Sequence, residues 1–112
     1  MAHILVIEDD PHQVALIHRW LGEHQLTISD GLAACESRHW DLIISDVHLP
    51  GSSGLERLRS RGTRIPTLMI TAHKDFSIAL GAIRAGAADL LAKPFTKEQL
   101  RSAVNTLSLI HI

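Results

Sequence analysis

The chain has little of what marks secreted, membrane or nucleic-acid-binding proteins. Cys35 is its only cysteine, so no internal disulfide can form, and a reducing compartment is the expectation. No apolar run approaches the roughly 20 residues that a membrane-spanning helix requires. The run Ile4-Leu5-Val6-Ile7 is too short for the core of a signal peptide, and acids follow it at once. The chain therefore reads as cytoplasmic, with no membrane partner. Neither charge dominates: 11 Lys and Arg face 12 Asp and Glu for a net of -1, which offers no basic face for direct nucleic-acid contact. Tyrosine is absent altogether. No internal repeat, linker or low-complexity segment breaks the chain, and its 112 residues suit one domain over 1–112.

What is present is a set of short aliphatic runs, at 4–7, 42–44, 67–70 and 90–92, each followed by polar residues. None alternates polar with apolar, the pattern of strands covered on both faces in a parallel sheet. Leu26-Thr27-Ile28-Ser29 does alternate and suits an edge strand. Helices are expected between the runs. Asp10 can cap the first, with Pro11 at its first position and Val14, Ile17, His18 and Leu21 at helical spacing. A second is expected over 32–38 and a third over 53–60, closed by Gly62. Phe76, Ala79, Leu80 and Ile83 form an apolar stripe ended by Gly86. The last helix starts at Thr96, where Gln99 completes a capping box, and buries Leu100, Ala103, Val104 and Leu107. Strand then helix, five times over, predicts a doubly wound α/β domain with right-handed crossovers.

The informative polar residues fall at the carboxyl ends of strands: Glu8, Asp9 and Asp10 after the first, Asp46 after the third, Thr71 at the fourth and Lys93 after the fifth. A parallel sheet brings these ends to one edge, where open α/β sheets bind ligands. Carboxylates gathered there repel one another unless a cation joins them. Mg²⁺, a hard ion with oxygen ligands, is the natural choice and also bridges to phosphate oxygens. Lys93 supplies a point charge for one phosphoryl oxygen and the Thr71 hydroxyl a donor for another. One carboxylate is left as nucleophile, giving an acyl phosphate. Cation, nucleophile, ammonium and hydroxyl together predict phosphoryl transfer to an aspartate.

Four segments carry a resemblance: Ile4-Leu5-Val6-Ile7-Glu8-Asp9-Asp10; Asp41-Leu42-Ile43-Ile44-Ser45-Asp46 with Leu49-Pro50-Gly51 and Gly54; Thr71-Ala72; and Ala92-Lys93-Pro94-Phe95. In this order they resemble the signature segments of response-regulator receiver domains. The resemblance implies a flavodoxin-like fold, a five-stranded parallel sheet of order 2-1-3-4-5 with helices on both faces. It implies Asp46 as phosphoacceptor, charged by a sensor histidine kinase or a histidine phosphotransfer protein. Asp9 would bind Mg²⁺ directly and Glu8 through water, with Asp46 and the backbone carbonyl of His48 as further ligands. Thr71 and Lys93 would contact the phosphoryl group, and the Lys93-Pro94 bond would be cis. Such a domain is a phosphoacceptor rather than a turnover enzyme, monomeric or weakly dimeric, and signals by contact with a downstream protein, here through a face around Ile78, Ala82 and Leu90.

Two departures stand out. Receivers usually carry Tyr or Phe where Leu90 stands, so the usual aromatic switch is missing. The stretch 22–28 and the helix over 53–60 also look short. His48 and His73 each lie two residues past a pocket residue, where the resemblance implies an influence on the lifetime of the acyl phosphate. A zinc site is not expected, since no two histidines stand four apart on a predicted helix. Trp20, Trp40 and Phe95 read as packing residues. Three other readings remain: a receiver excised from a longer regulator, a flavodoxin-like electron carrier, and a Mg²⁺-dependent phosphatase of the haloacid-dehalogenase type. The second would want a Ser/Thr/Gly-rich phosphate loop in place of Glu8-Asp9-Asp10. The third would want its nucleophile after the first strand and a second Asp where His48 stands.

Overall fold

The computed structural model describes residues 2–29, 40–46, 48–49, 52–53, 65–72 and 89–110. In chain order these form β1 (His3–Ile7), α1 (Pro11–Trp20), β2 (Gln25–Ser29), β3 (Leu42–Asp46), β4 (His48–Leu49), β5 (Ser52–Ser53), β6 (Thr67–Ala72), β7 (Asp89–Lys93) and α2 (Lys97–Ile110). Five strands make one parallel sheet in the order β2-β1-β3-β6-β7. With the two-residue pair β4 and β5 set aside, that is the expected 2-1-3-4-5. The apolar runs grew by one or two residues each as strands, because backbone pairing extends past the apolar signal.

Alternation along the central strands divides the core. Ile4 and Val6 of β1, Leu42 and Ile44 of β3, and Leu68 and Ile70 of β6 pack with Ile17, Leu21, Leu100, Val104 and Leu107 from the two helices. On the opposite face Leu5, Ile7 and Ile43 cluster with Trp40. Both faces are buried, which explains why these strands carry no polar alternation. Each such aliphatic side chain contributes about 1.5–3 kcal/mol relative to exposure, so the sheet centre is the rigid base of whatever its carboxyl edge carries.

Helix α1 begins as its cap residue dictates. The Asp10 carboxylate accepts from the His12 amide at 2.9 Å, with Pro11 at the first turn. Its stripe is Ile17 and Leu21, with Val14 partly buried; His18, expected on that stripe, is exposed. One residue past Ile17 a side chain has turned about 100° around the axis. A tight turn with His24 N–H donating to the Leu21 carbonyl then leads to β2. Helix α2 starts with the reciprocal capping box: Thr96 N–H donates to Gln99 Oε1 at 2.8 Å, and Gln99 N–H to Thr96 Oγ1 at 3.1 Å. Arg101 ties the helices together, donating to the Trp20 carbonyl at 3.1 Å and pairing with Glu23. Trp40 and Phe95 are buried, and Trp20 meets Phe95 edge-on at 6.2 Å, so the aromatics pack as expected.

Two expectations fail. The run at 90–92 was expected to be covered on both faces; β7 lies at the sheet edge, as the order 2-1-3-4-5 places it, but Asp89 and Ala92 are exposed and Leu90 and Leu91 only partly buried. A strand with a single neighbour has less of the sheet to hide against. The third helix was expected to start at Ser53, but Ser53 pairs antiparallel with His48. A two-residue Pro50-Gly51 link favours a hairpin between its flanks over a helix start. The rest of that helix, those expected over 32–38 and around Phe76, and His73, Ile78 and Ala82 lie outside the described residues. No helix among the described residues is long and apolar enough to cross a membrane.

Candidate functional site

The chain leaves β1 towards β2 on one side and leaves β3 towards β6 on the other, so a crevice opens between their carboxyl ends. Glu8 is the first residue past β1 and Asp46 the last of β3. Thr71 lies next to the end of β6 and pairs with Ala92, while Lys93, the last residue of β7, pairs with Ala72. Position in the sheet alone thus sets four polar side chains on one edge.

Three of them meet. Lys93 Nζ lies 3.0 Å from Asp46 Oδ2 and 3.7 Å from Glu8 Oε2. Glu8, Asp46 and Thr71 are all buried. Glu8 is steadied by the Asp10 amide, which donates to Oε1 at 3.1 Å. Its other oxygen, Oε2, is buried without a hydrogen-bond partner among the described residues. Burial holds the Glu8 carboxyl above the usual range; the Asp10 amide opposes this, the Asp46 charge adds to it, and Lys93 opposes it. For Lys93, burial disfavours the ammonium, but the hydrogen bond and charge of Asp46, then Glu8 and Asp10, outweigh it and raise the pKa.

Asp9 is exposed at the mouth of the crevice, and Thr71 is buried on the same edge. His48 sits in β4, two residues past Asp46. The Lys93-Pro94 peptide is cis, as expected. Asp10 serves as cap, and its backbone amide adds a role towards Glu8 that the sequence did not announce. In the sequence Ser45 stands out only as part of a motif. It is buried and its hydroxyl donates to the Asp46 carbonyl at 3.1 Å; the available signal was a lone hydroxyl ending an aliphatic run.

The donor set is all oxygen, and one buried carboxylate oxygen, Glu8 Oε2, accepts no hydrogen bond among the described residues; this suits a hard cation. Among the described residues no three His, Cys, Asp or Glu side chains are grouped closely enough to hold a metal by themselves. An ion seated here would keep much of its water, the habit of Mg²⁺ rather than of zinc.

Residues 4–105 match the family model for the response regulator receiver domain. The transcriptional regulatory protein TcrA of Mycobacterium tuberculosis is 38% identical over 114 residues, covering 94% of this chain and 45% of TcrA. The chain thus spans about half the length of that relative. NtrX of Brucella abortus superposes with a TM-score of 0.89 at 28% identity, over 98% of this chain and 27% of NtrX. The receiver domain of the Pseudomonas aeruginosa sensor histidine kinase PA1611, solved with a magnesium ion in its active-site cleft, gives 0.84 at 25% identity over 96% of this chain and 97% of that domain.

Proposed function

The chain belongs to the response regulator receiver domain family of two-component signalling, and we propose that Asp46 is its phosphoacceptor. The observation that carries this is the Lys93 ammonium held 3.0 Å from a buried Asp46 oxygen, with Glu8 behind it. In the transfer, an Asp46 carboxylate oxygen attacks phosphorus as the bond to a histidine nitrogen of the donor breaks, and that nitrogen keeps the electron pair. Lys93 passes its hydrogen bond from the carboxylate to a phosphoryl oxygen while Glu8 still balances its charge. The Thr71 hydroxyl donates to a second phosphoryl oxygen. Burial of the pocket strengthens both contacts by excluding water.

Glu8, Asp9, Asp46 and the His48 backbone carbonyl would hold Mg²⁺, and the buried Glu8 Oε2, which accepts no hydrogen bond among the described residues, supports this reading. When bound, the ion offsets negative charge shared by the carboxylates and the incoming phosphoryl group. The donor is a phosphohistidine on a sensor kinase or phosphotransfer protein, and the output is contact with a downstream protein. An acidic crevice with an ammonium at its centre does not suit a flavin phosphate, which disfavours an electron carrier.

Incubation with Mg²⁺ and acetyl phosphate, followed by intact mass, tests the proposal. One phosphoryl group is expected on the wild type and none on Asp46→Asn. An adduct on Asp46→Asn, or none on either, contradicts it.

A further inference from the structure

Ser45 is a buried hydroxyl in a place built for hydrocarbon. It stands beside Ile7 of β1 and Met69 of β6 in register, two residues along from Ile43, which packs with Leu5, Ile7 and Trp40. An unbonded hydroxyl in such surroundings is costly. Its hydrogen bond among the described residues goes to the backbone carbonyl of Asp46 at 3.1 Å, not across to a neighbouring strand.

From this contact we infer that Ser45 is a positioning residue for phosphoryl transfer, fixing the peptide plane that follows Asp46; this rests on Asp46 being the acceptor. The carbonyl of Asp46 belongs to the peptide that carries the chain out of β3 towards β4. If that plane tilts, the Cα of Asp46 tilts with it, and the carboxylate moves relative to Lys93 on β7, whose own position is set by pairing with Ala72. Aliphatic residues at 45 would bury as well, so burial alone does not call for a hydroxyl. Displacement of a reacting atom by a fraction of an ångström is enough to slow a transfer. The groups that would contact the phosphoryl group, Thr71 and Lys93, stand on other strands.

The test is the rate of Asp46 phosphorylation by acetyl phosphate in Ser45→Ala, Ser45→Cys and Ser45→Thr. Cysteine fills the space of serine but is a poor donor, and threonine retains the hydroxyl. Loss of one hydrogen bond from the transfer geometry is expected to lower the maximal rate about three- to tenfold in Ala and Cys alike. The acetyl phosphate concentration for half-maximal rate should stay unchanged, and Thr should restore the rate. Urea unfolding of each variant separates this from a loss of folded protein, and the Cys comparison stands even if Thr crowds the site. A Cys variant as fast as wild type, or rates that fall only with the folded fraction, overturns the inference. Absence of the adduct on wild type, or its survival in Asp46→Asn, would instead remove the reading beneath it.

Discussion

Replacing Lys93 with Met removes the ammonium and keeps most of the aliphatic stem, leaving Glu8 and Asp46 buried together without a cation. The side chains of Glu8 and Asp46 are 2% and 11% exposed and that of Lys93 25%, so the cluster lies between a surface pair and a buried one. Exposed pairs contribute up to about 1 kcal/mol, and stripping one partner from a buried pair costs about 3–5 kcal/mol. The partial exposure of Lys93 argues for about 2 kcal/mol at neutral pH. With a urea slope of about 1.5 kcal/mol/M, the unfolding midpoint should fall by more than 1 M. The pH dependence follows from the shifts. The Glu8 pKa is raised, first by burial, so its ionised form carries a cost that disappears as pH falls through the raised value. Without Lys93 that cost grows, and the deficit of the variant should narrow from pH 7 towards about pH 5. Lys93 has a raised pKa because Asp46 and Glu8 outweigh its burial, so its own contribution persists below the usual lysine range and is lost only as pH rises through the raised value. Urea melts of both proteins at these two pH values decide the matter. A deficit under 0.5 kcal/mol (about a quarter of that expected), or one that widens on acidification, refutes the reasoning.

Other expectations follow from the same structure. Leu100→Ala, at a fully buried position between α2 and the sheet, should cost about 3 kcal/mol in urea unfolding without altering the Asp46 environment. Asp10→Ala removes the side-chain cap of α1 and should cost about 1 kcal/mol, while its backbone contact to Glu8 survives. Added Mg²⁺ should raise the wild-type melting temperature, reaching about 1.4 kcal/mol of stabilisation at tenfold excess over its dissociation constant. That gain should shrink in Asp9→Asn, as differential scanning fluorimetry would record.

The sheet was legible because its central strands are buried on both faces and so spell unbroken aliphatic runs at 4–7, 42–44 and 67–70. The helix starts were legible because Asp10, Pro11, Thr96 and Gln99 solve a local problem of unsatisfied amides. The edge position of β7 was expected, but its exposure was not, since an apolar run reports side-chain type and not how fully a strand is covered. Ser53 was misplaced because a two-residue link can end a turn in a strand as well as a helix. At the site, topology alone foretold that Glu8, Asp46, Thr71 and Lys93 share an edge. It did not foretell that Lys93 touches both carboxylates, nor that the Asp10 amide holds Glu8, because those depend on distances that no spacing in sequence encodes.

The most direct test asks where the phosphoryl group goes. An acyl phosphate at Asp46 is reduced by borohydride to homoserine, and peptide mass spectrometry then reads the position. Treated with acetyl phosphate and Mg²⁺, the wild type should yield homoserine at 46, with Glu8, Asp9 and Asp10 unchanged. Homoserine at another aspartate, or a phosphoryl group that resists borohydride, contradicts Asp46 as the acceptor.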